Sequence, residues 1–174
     1  MIVTRRRMIE AGGGFFLAAL LAKPAFSAGT IIDVEMHGKD DGAHVWFDPV
    51  GIHVEAGQTI RWTNRDPGNS HTVTAYHPDL FDRPLRIPAD AKPWDSDYLM
   101  PGQSFSVTLA IVGVYDYYCV PHEHAGMVGR IVVGVPPAPV KTATAADQTP
   151  LPDIALDAFP PVDEIIAKGI VRKA

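Results

Sequence analysis

Between Thr30 and Val135 the chain is divided by turn-forming residues into short runs that alternate apolar and polar side chains, a rhythm that leaves no room for a helical architecture. In Thr59-Ile60-Arg61-Trp62-Thr63, Ile60 and Trp62 fall on one face of an extended strand. In Ser104-Phe105-Ser106-Val107-Thr108-Leu109, the three apolar side chains point together. Further strand candidates are Ile31–Met36, His44–Phe47, Gly51–Val54, His71–Ala75, Val114–Tyr118 and Val128–Val133. The punctuation between them is Glu55-Ala56-Gly57-Gln58, Asp66-Pro67-Gly68-Asn69 and Met100-Pro101-Gly102-Gln103. About eight short strands with no helix among them predict an all-β fold, an antiparallel Greek-key β-sandwich.

Two regions depart from this rhythm. Residues 76–99 hold Pro78, Pro84, Pro88 and Pro93 among alternating charges and read as a long ordered loop with at most a helical turn. Beyond Val135, Pro136-Pro137-Ala138-Pro139 opens a Pro/Ala/Thr-rich stretch, so residues 136–158 read as a linker. Residues 159–174 read as a short amphipathic helix or tail, entered through Pro160-Pro161, with Val162, Ile165, Ile166 and Ile170 as one apolar stripe. That stripe is expected to cover the chain's own sandwich, with docking onto a partner or a disordered tail as the alternatives.

The first 27 residues read as an export signal rather than as part of the fold. Arg5-Arg6-Arg7 precedes a weakly apolar run from Ala11 to Ala22, about half the ~20 residues of a membrane-spanning helix. Small residues follow at Ala25, Ser27 and Ala28, with cleavage expected after Ser27. Thr4-Arg5-Arg6-Arg7-Met8-Ile9 resembles a twin-arginine signal, although Glu10 departs from that pattern's usual Lys; an ordinary secretory signal or an uncleaved anchor is the alternative. Either signal implies the periplasm. The 174 residues carry 15 basic and 20 acidic side chains; losing Arg5, Arg6, Arg7, Lys23 and Glu10 would leave 11 and 19, a net charge of −8. Such a surface has no basic stripe for phosphates, so no nucleic-acid partner is expected. A single cysteine excludes an intramolecular disulfide framework, a Cys₄ zinc site and a Cys-ligated iron–sulfur cluster.

That cysteine lies in the most informative segment, Gly113-Val114-Tyr115-Asp116-Tyr117-Tyr118-Cys119-Val120-Pro121-His122-Glu123-His124-Ala125-Gly126-Met127. A strand delivers Cys119, and a tight loop then carries His122 and Met127; upstream, His71 opens another strand candidate. A thiolate and two imidazoles suit a trigonal copper site, with the thioether as a weak axial ligand. Zinc would accept the first three donors and gain little from methionine. From Gly113 to Met127 the chain fits G-x-Y-x-[FY]-Y-C-x-P-H-x-x-A-G-M, and over Thr30–Val135 it resembles the cupredoxins, the small blue copper proteins, in their plastocyanin and pseudoazurin branch.

The resemblance implies one type 1 copper ion with Cys119 as the thiolate ligand, His71 and His122 as the imidazoles and Met127 as the axial ligand. In that family Asn usually follows the upstream histidine; here it is Thr72, which implies looser bracing of the ligand loop and a shifted potential without loss of a ligand. His124 competes with His122: Cys119-x₄-His124 matches a longer loop of azurin-like relatives, but leaves only two residues before Met127. His122, four residues before Met127, is favoured, and His124 then becomes a surface residue that modulates the site together with Glu123. Tyr115 and Tyr117 alternate with Cys119 and are expected to fill the core; His37 and His44 are expected to face solvent beside a turn, His53 to lie on a strand surface and His77 to line the long loop near the copper.

A site with no open coordination position implies an electron carrier rather than an enzyme, a monomer that meets transient redox partners through small interfaces. Two alternatives remain: a periplasmic copper-binding or copper-delivery protein, and an accessory copper subunit of a membrane redox complex docked through the tail.

Overall fold

The computed structural model describes residues 30–39, 42, 44–136 and 150–173. The export signal read at residues 1–27 and the linker residues 137–149 lie outside them. Among the described residues there are nine strands: β1 (Ile31–Lys39), β2 (His44–Asp48), β3 (Gly51–Val54), β4 (Gln58–Asn64), β5 (Thr74–Ala75), β6 (Ser104–Leu109), β7 (Gly113–Tyr118), β8 (Val128–Val133) and β9 (Ile170–Val171). Two short helices, α1 (Asp153–Ala158) and α2 (Val162–Lys168), lie between β8 and β9.

The strands form two sheets, ordered β2-β1-β4-β6 and β5-β7-β8-β3-β9. Their inner faces carry the alternating apolar residues: Val34, Ile60 and Trp62 from the first pack against Ile52, Tyr117 and Ile131 from the second. Trp62 and Tyr117 meet edge to face across the gap, with ring centroids 5.3 Å apart. The β-sandwich is therefore the architecture expected, and seven of the eight expected strands match within a few residues. The pairing is mixed rather than wholly antiparallel, however, because β1 runs parallel to β4 and β3 parallel to β8. The chain leaves the first sheet after β2, adds β3 to the second and returns to lay β4 beside β1, which brings the two strands together in the same direction.

Strand β5 is shorter than the expected His71–Ala75, because the long loop claims its first residues. His71 and Leu99 exchange backbone bonds of 3.1 and 2.8 Å, and Val73 receives Ser96 N–H at 3.2 Å. Residues 76–99 form an ordered loop without a helix; Ile87, Trp94 and Leu99 are buried in the main core.

Strand β7 is buried at all six positions. Tyr115 and Tyr117 face the inter-sheet core as expected, while Val114, Asp116 and Tyr118 face outward beneath the loop and the C-terminal segment. Ala155 of α1 packs with Tyr76, Tyr118 and Val128. Ile165 of α2 packs, fully buried, with Val114 and Val132, a contact that contributes about 1.5–3 kcal/mol through burial. Asp116 is clasped by Arg86 and Arg130, whose guanidinium groups also lie over the Phe159 ring.

The C-terminal segment differs from expectation in two respects. Residues 153–158, assigned to the linker, form α1, a six-residue helix without an apolar stripe that is held by packing rather than by propensity. The stripe of Val162, Ile165, Ile166 and Ile170 is not one helical face: α2 ends at Lys168, and Ile170 enters β9 against β3. Only Ile165 is fully buried; Ile166 and Ile170 are 38% and 51% exposed.

Candidate metal centre

Strand β7 delivers Cys119 to the end of the sandwich, where its backbone is still extended (φ −98°, ψ 117°). A 3-10 helix, Val120–Ala125, then turns the chain back, with Pro121 in its first turn. His122 N–H donates to Cys119 O at 3.0 Å, Met127 N–H to His122 O at 3.1 Å, and Cys119 N–H to Met127 O at 3.0 Å. These bonds tie the three residues into one loop. Gly126 closes it in the left-handed conformation (φ 74°), which a side chain would strain.

Opposite the loop, the backbone bonds to Leu99 hold His71 just before β5. The His71 Nδ1 lies 3.6 Å from Cys119 Sγ and 3.2 Å from His122 Nδ1, and His122 Nδ1 lies 3.4 Å from the same sulfur. His71, Cys119 and Met127 are fully buried; His122 is half-buried. His71, Cys119 and His122, with Met127 across the base of the loop, form a candidate type 1 copper site.

The chemistry of the donors fits a cation at their centre. His71 Nε2 lies 3.0 Å from an Asp66 carboxylate oxygen, which accepts its proton and leaves Nδ1 with only a lone pair. That lone pair faces a second ring nitrogen and a sulfur, an arrangement of acceptors that a soft, positively charged ion satisfies. Burial pushes the Cys119 thiol up to about 11 in the metal-free protein, with hydrogen bonds to Thr72 and His122 opposing the rise. Burial lowers His71 despite its bond to Asp66; it also lowers His122, where the neighbouring His71 adds to the effect.

The loop is braced where a loose fit was expected. Thr72 N–H donates to Cys119 Sγ at 3.3 Å, and Val120 N–H donates to Thr72 Oγ1 at 2.8 Å. The Thr72 hydroxyl in turn donates to Thr74 Oγ1 at 3.0 Å, and that hydroxyl to Asp95 Oδ1 at 2.7 Å. The backbone of residue 72 thus supplies the bond to the sulfur, and the threonine hydroxyl supplies the acceptor for the loop.

His124 is exposed and outside the cluster, so the structure brings His122, not His124, to the sulfur. Glu123 is not the surface companion expected for His124. It is fully buried, accepts Tyr76 O–H at 2.8 Å and pairs with Arg83, which also lies over the Tyr118 ring. This anchor, like Asp66, was absent from the sequence reading. The only sequence signal for Asp66 was a turn motif five residues before His71, and nothing in the sequence around Glu123 marks it as buried.

Comparison with known proteins agrees with the site. Residues 33–134 match the family described as copper binding proteins, plastocyanin/azurin family. The chain is 39% identical over 100 residues to a chloroplastic plastocyanin of Tetradesmus obliquus, covering 55% of this chain and 63% of the relative's length. It is 34% identical over 136 residues to the chloroplastic plastocyanin of Oryza sativa subsp. indica, covering 76% and 82%. Among solved structures, a Sinorhizobium pseudoazurin superimposes with a TM-score of 0.54 at 26% identity, over 79% of this chain and 94% of its own. A pseudoazurin from Methylobacterium extorquens AM1 shares the fold with the same TM-score at 23% identity, covering 80% and 99%. The copper-type donor set and a family match spanning more than half of the sequence lead to one conclusion: this chain belongs to the plastocyanin/azurin family of copper binding proteins.

Proposed function

We propose that this protein is an exported, mononuclear type 1 copper protein that passes single electrons between redox partners in the periplasm. Its ligands in this reading are His71, Cys119 and His122, with Met127 in the axial position. The observation that carries the reading is the meeting of Cys119 Sγ with the His71 and His122 Nδ1 atoms at 3.6 and 3.4 Å, the two nitrogens 3.2 Å apart, in a buried, braced pocket. Bound copper supplies the one-electron Cu(I)/Cu(II) couple.

The chain's own residues supply rigidity, insulation and access. The Thr72 bonds and the Glu123–Arg83–Tyr76 anchor fix the two sides of the ligand loop, so the donor atoms need not move when the charge between them changes. Cys119, His71 and Met127 are sealed from water. His122, half-buried at the end of the sandwich, provides the ring edge through which an electron enters or leaves. Partners meet that end transiently, through a small interface that needs no large buried area. The exposed Pro121 beside His122 is part of this surface. The protein acts as a monomer, with α1, α2 and β9 covering its own sandwich.

A potentiometric titration of the copper-loaded protein tests this reading. One reversible couple that takes up one electron per chain is expected. Irreversible loss of copper on reduction would contradict it and favour copper delivery.

A further inference from the structure

We propose that Asp66 is a positioning residue of the copper centre, its buried carboxylate orienting His71 and favouring the oxidised ion. This inference rests on the electron-carrier reading above and extends it to a residue outside the ligand set.

Asp66 is 3% exposed, and its two oxygens meet three donors. Oδ2 lies 3.0 Å from His71 Nε2 and accepts Asn69 Nδ2–H at 2.8 Å; Oδ1 accepts Gly68 N–H at 2.9 Å. An ionised carboxylate can only accept, so all three bonds are satisfied together in the charged form. The loop that presents it is itself pinned. Asp66 N–H donates to Asn64 Oδ1 at 2.9 Å, and the fully buried Asn64 donates to the carbonyls of Asn69 and Leu99 at 2.8 and 2.9 Å. Strand β1 makes space for the carboxylate at Gly38, where a Cβ would stand 1.8 Å from Asp66 Oδ2. Any side chain at residue 38 would displace the carboxylate.

Two consequences follow for His71. The acceptor at Nε2 fixes the ring tautomer, so that Nδ1 is the atom free to bind, and it also fixes the ring plane. A charge-assisted bond to a desolvated anion also makes the imidazole a stronger electron donor than a bond to a neutral carbonyl would. The added negative charge stabilises the ion of higher charge, so Asp66 shifts the balance toward the oxidised state. A carboxylate that merely held the turn would account for the Gly68 and Asn69 bonds without affecting this balance.

Three measurements on the copper-loaded or metal-free full chain separate these roles. Asp66→Asn keeps the size and an acceptor for Gly68 but removes the charge. It is expected to shift the ratio of Cu(II) to Cu(I) dissociation constants about tenfold in favour of Cu(I), which is about 59 mV for a one-electron couple, while retaining the intense visible band. Asn69→Ala, a half-buried position, removes a competing donor and is expected to move the potential the opposite way. In the metal-free wild-type protein, nitrogen NMR is expected to show the His71 proton on Nε2. Potentials unchanged in both variants, or a proton on Nδ1, would overturn the proposal; should Asp66→Asn fail to fold, Asn69→Ala and the tautomer decide. Absence of the visible band from copper-loaded wild type would instead overturn the electron-carrier reading, and this proposal with it.

Discussion

Thr72 Oγ1 accepts the Val120 N–H at 2.8 Å while the Thr72 amide donates to Cys119 Sγ at 3.3 Å, so one residue holds both the sulfur and the start of the ligand loop. Thr72→Val keeps the shape and removes the acceptor, leaving the Val120 amide without its partner. A loss of about 1–3 kcal/mol in folding stability and a copper affinity lower by about 10–100-fold are expected. Chemical denaturation and competition with a copper chelator measure the two, and Thr72→Ser should restore most of each.

His122 and His124 are two residues apart, yet only His122 reaches the sulfur, at 3.4 Å. His122→Ala is therefore expected to abolish type 1 copper binding, whereas His124→Ala, at an exposed position, leaves affinity and spectrum unchanged. Copper titration of both variants checks this, and the reverse order would move the ligand to position 124.

Metal uptake has a defined proton count. Burial raises the Cys119 thiol to about 11, so the metal-free protein holds that proton at neutral pH, whereas burial lowers both imidazoles, leaving them neutral there. Copper(II) binding at pH near 7.5 is expected to release about one proton per ion, read by calorimetry in buffers of differing ionisation enthalpy. The same imidazoles set the acid response of the metal-free protein. The unfolded chain takes up protons at histidine near 6.5, before the folded chain does. Stability is therefore expected to fall as pH drops below about 6.5 and to continue falling until the folded rings are protonated.

The C-terminal helices carry a contrast within adjacent residues. Ile165 is fully buried against Val114 and Val132, whereas Ile166 is 38% exposed. Ile165→Ala is expected to cost about 2–5 kcal/mol, and Ile166→Ala to stay within about 0.5 kcal/mol of wild type. Urea denaturation compares them.

Much of this protein was legible in its sequence because local patterns carried the information. Ile60 and Trp62 alternate with polar residues, and the period of two placed them on the inner face where they lie. The spacing from Cys119 to His122 and Met127 is local as well, and one short loop suffices to bring those residues together. What was missed depends on contacts distant in sequence. Asp66-Pro67-Gly68-Asn69 announces a turn, but only folding shows that its carboxylate reaches His71 beneath Gly38. Glu123 reads as one more surface charge until Tyr76 and Arg83, forty or more residues away, close over it. Helix α1 has too few residues for a period and forms because Ala155 fits against Tyr76 and Tyr118.

The central claim is that Cys119 binds copper together with His71 and His122. Optical and EPR spectra of the copper(II)-loaded protein, recorded beside Cys119→Ser, test it most directly. An intense visible thiolate-to-copper band in the wild type that disappears in the variant is the predicted result. A colourless oxidised wild type, or a variant that keeps the band, would contradict it.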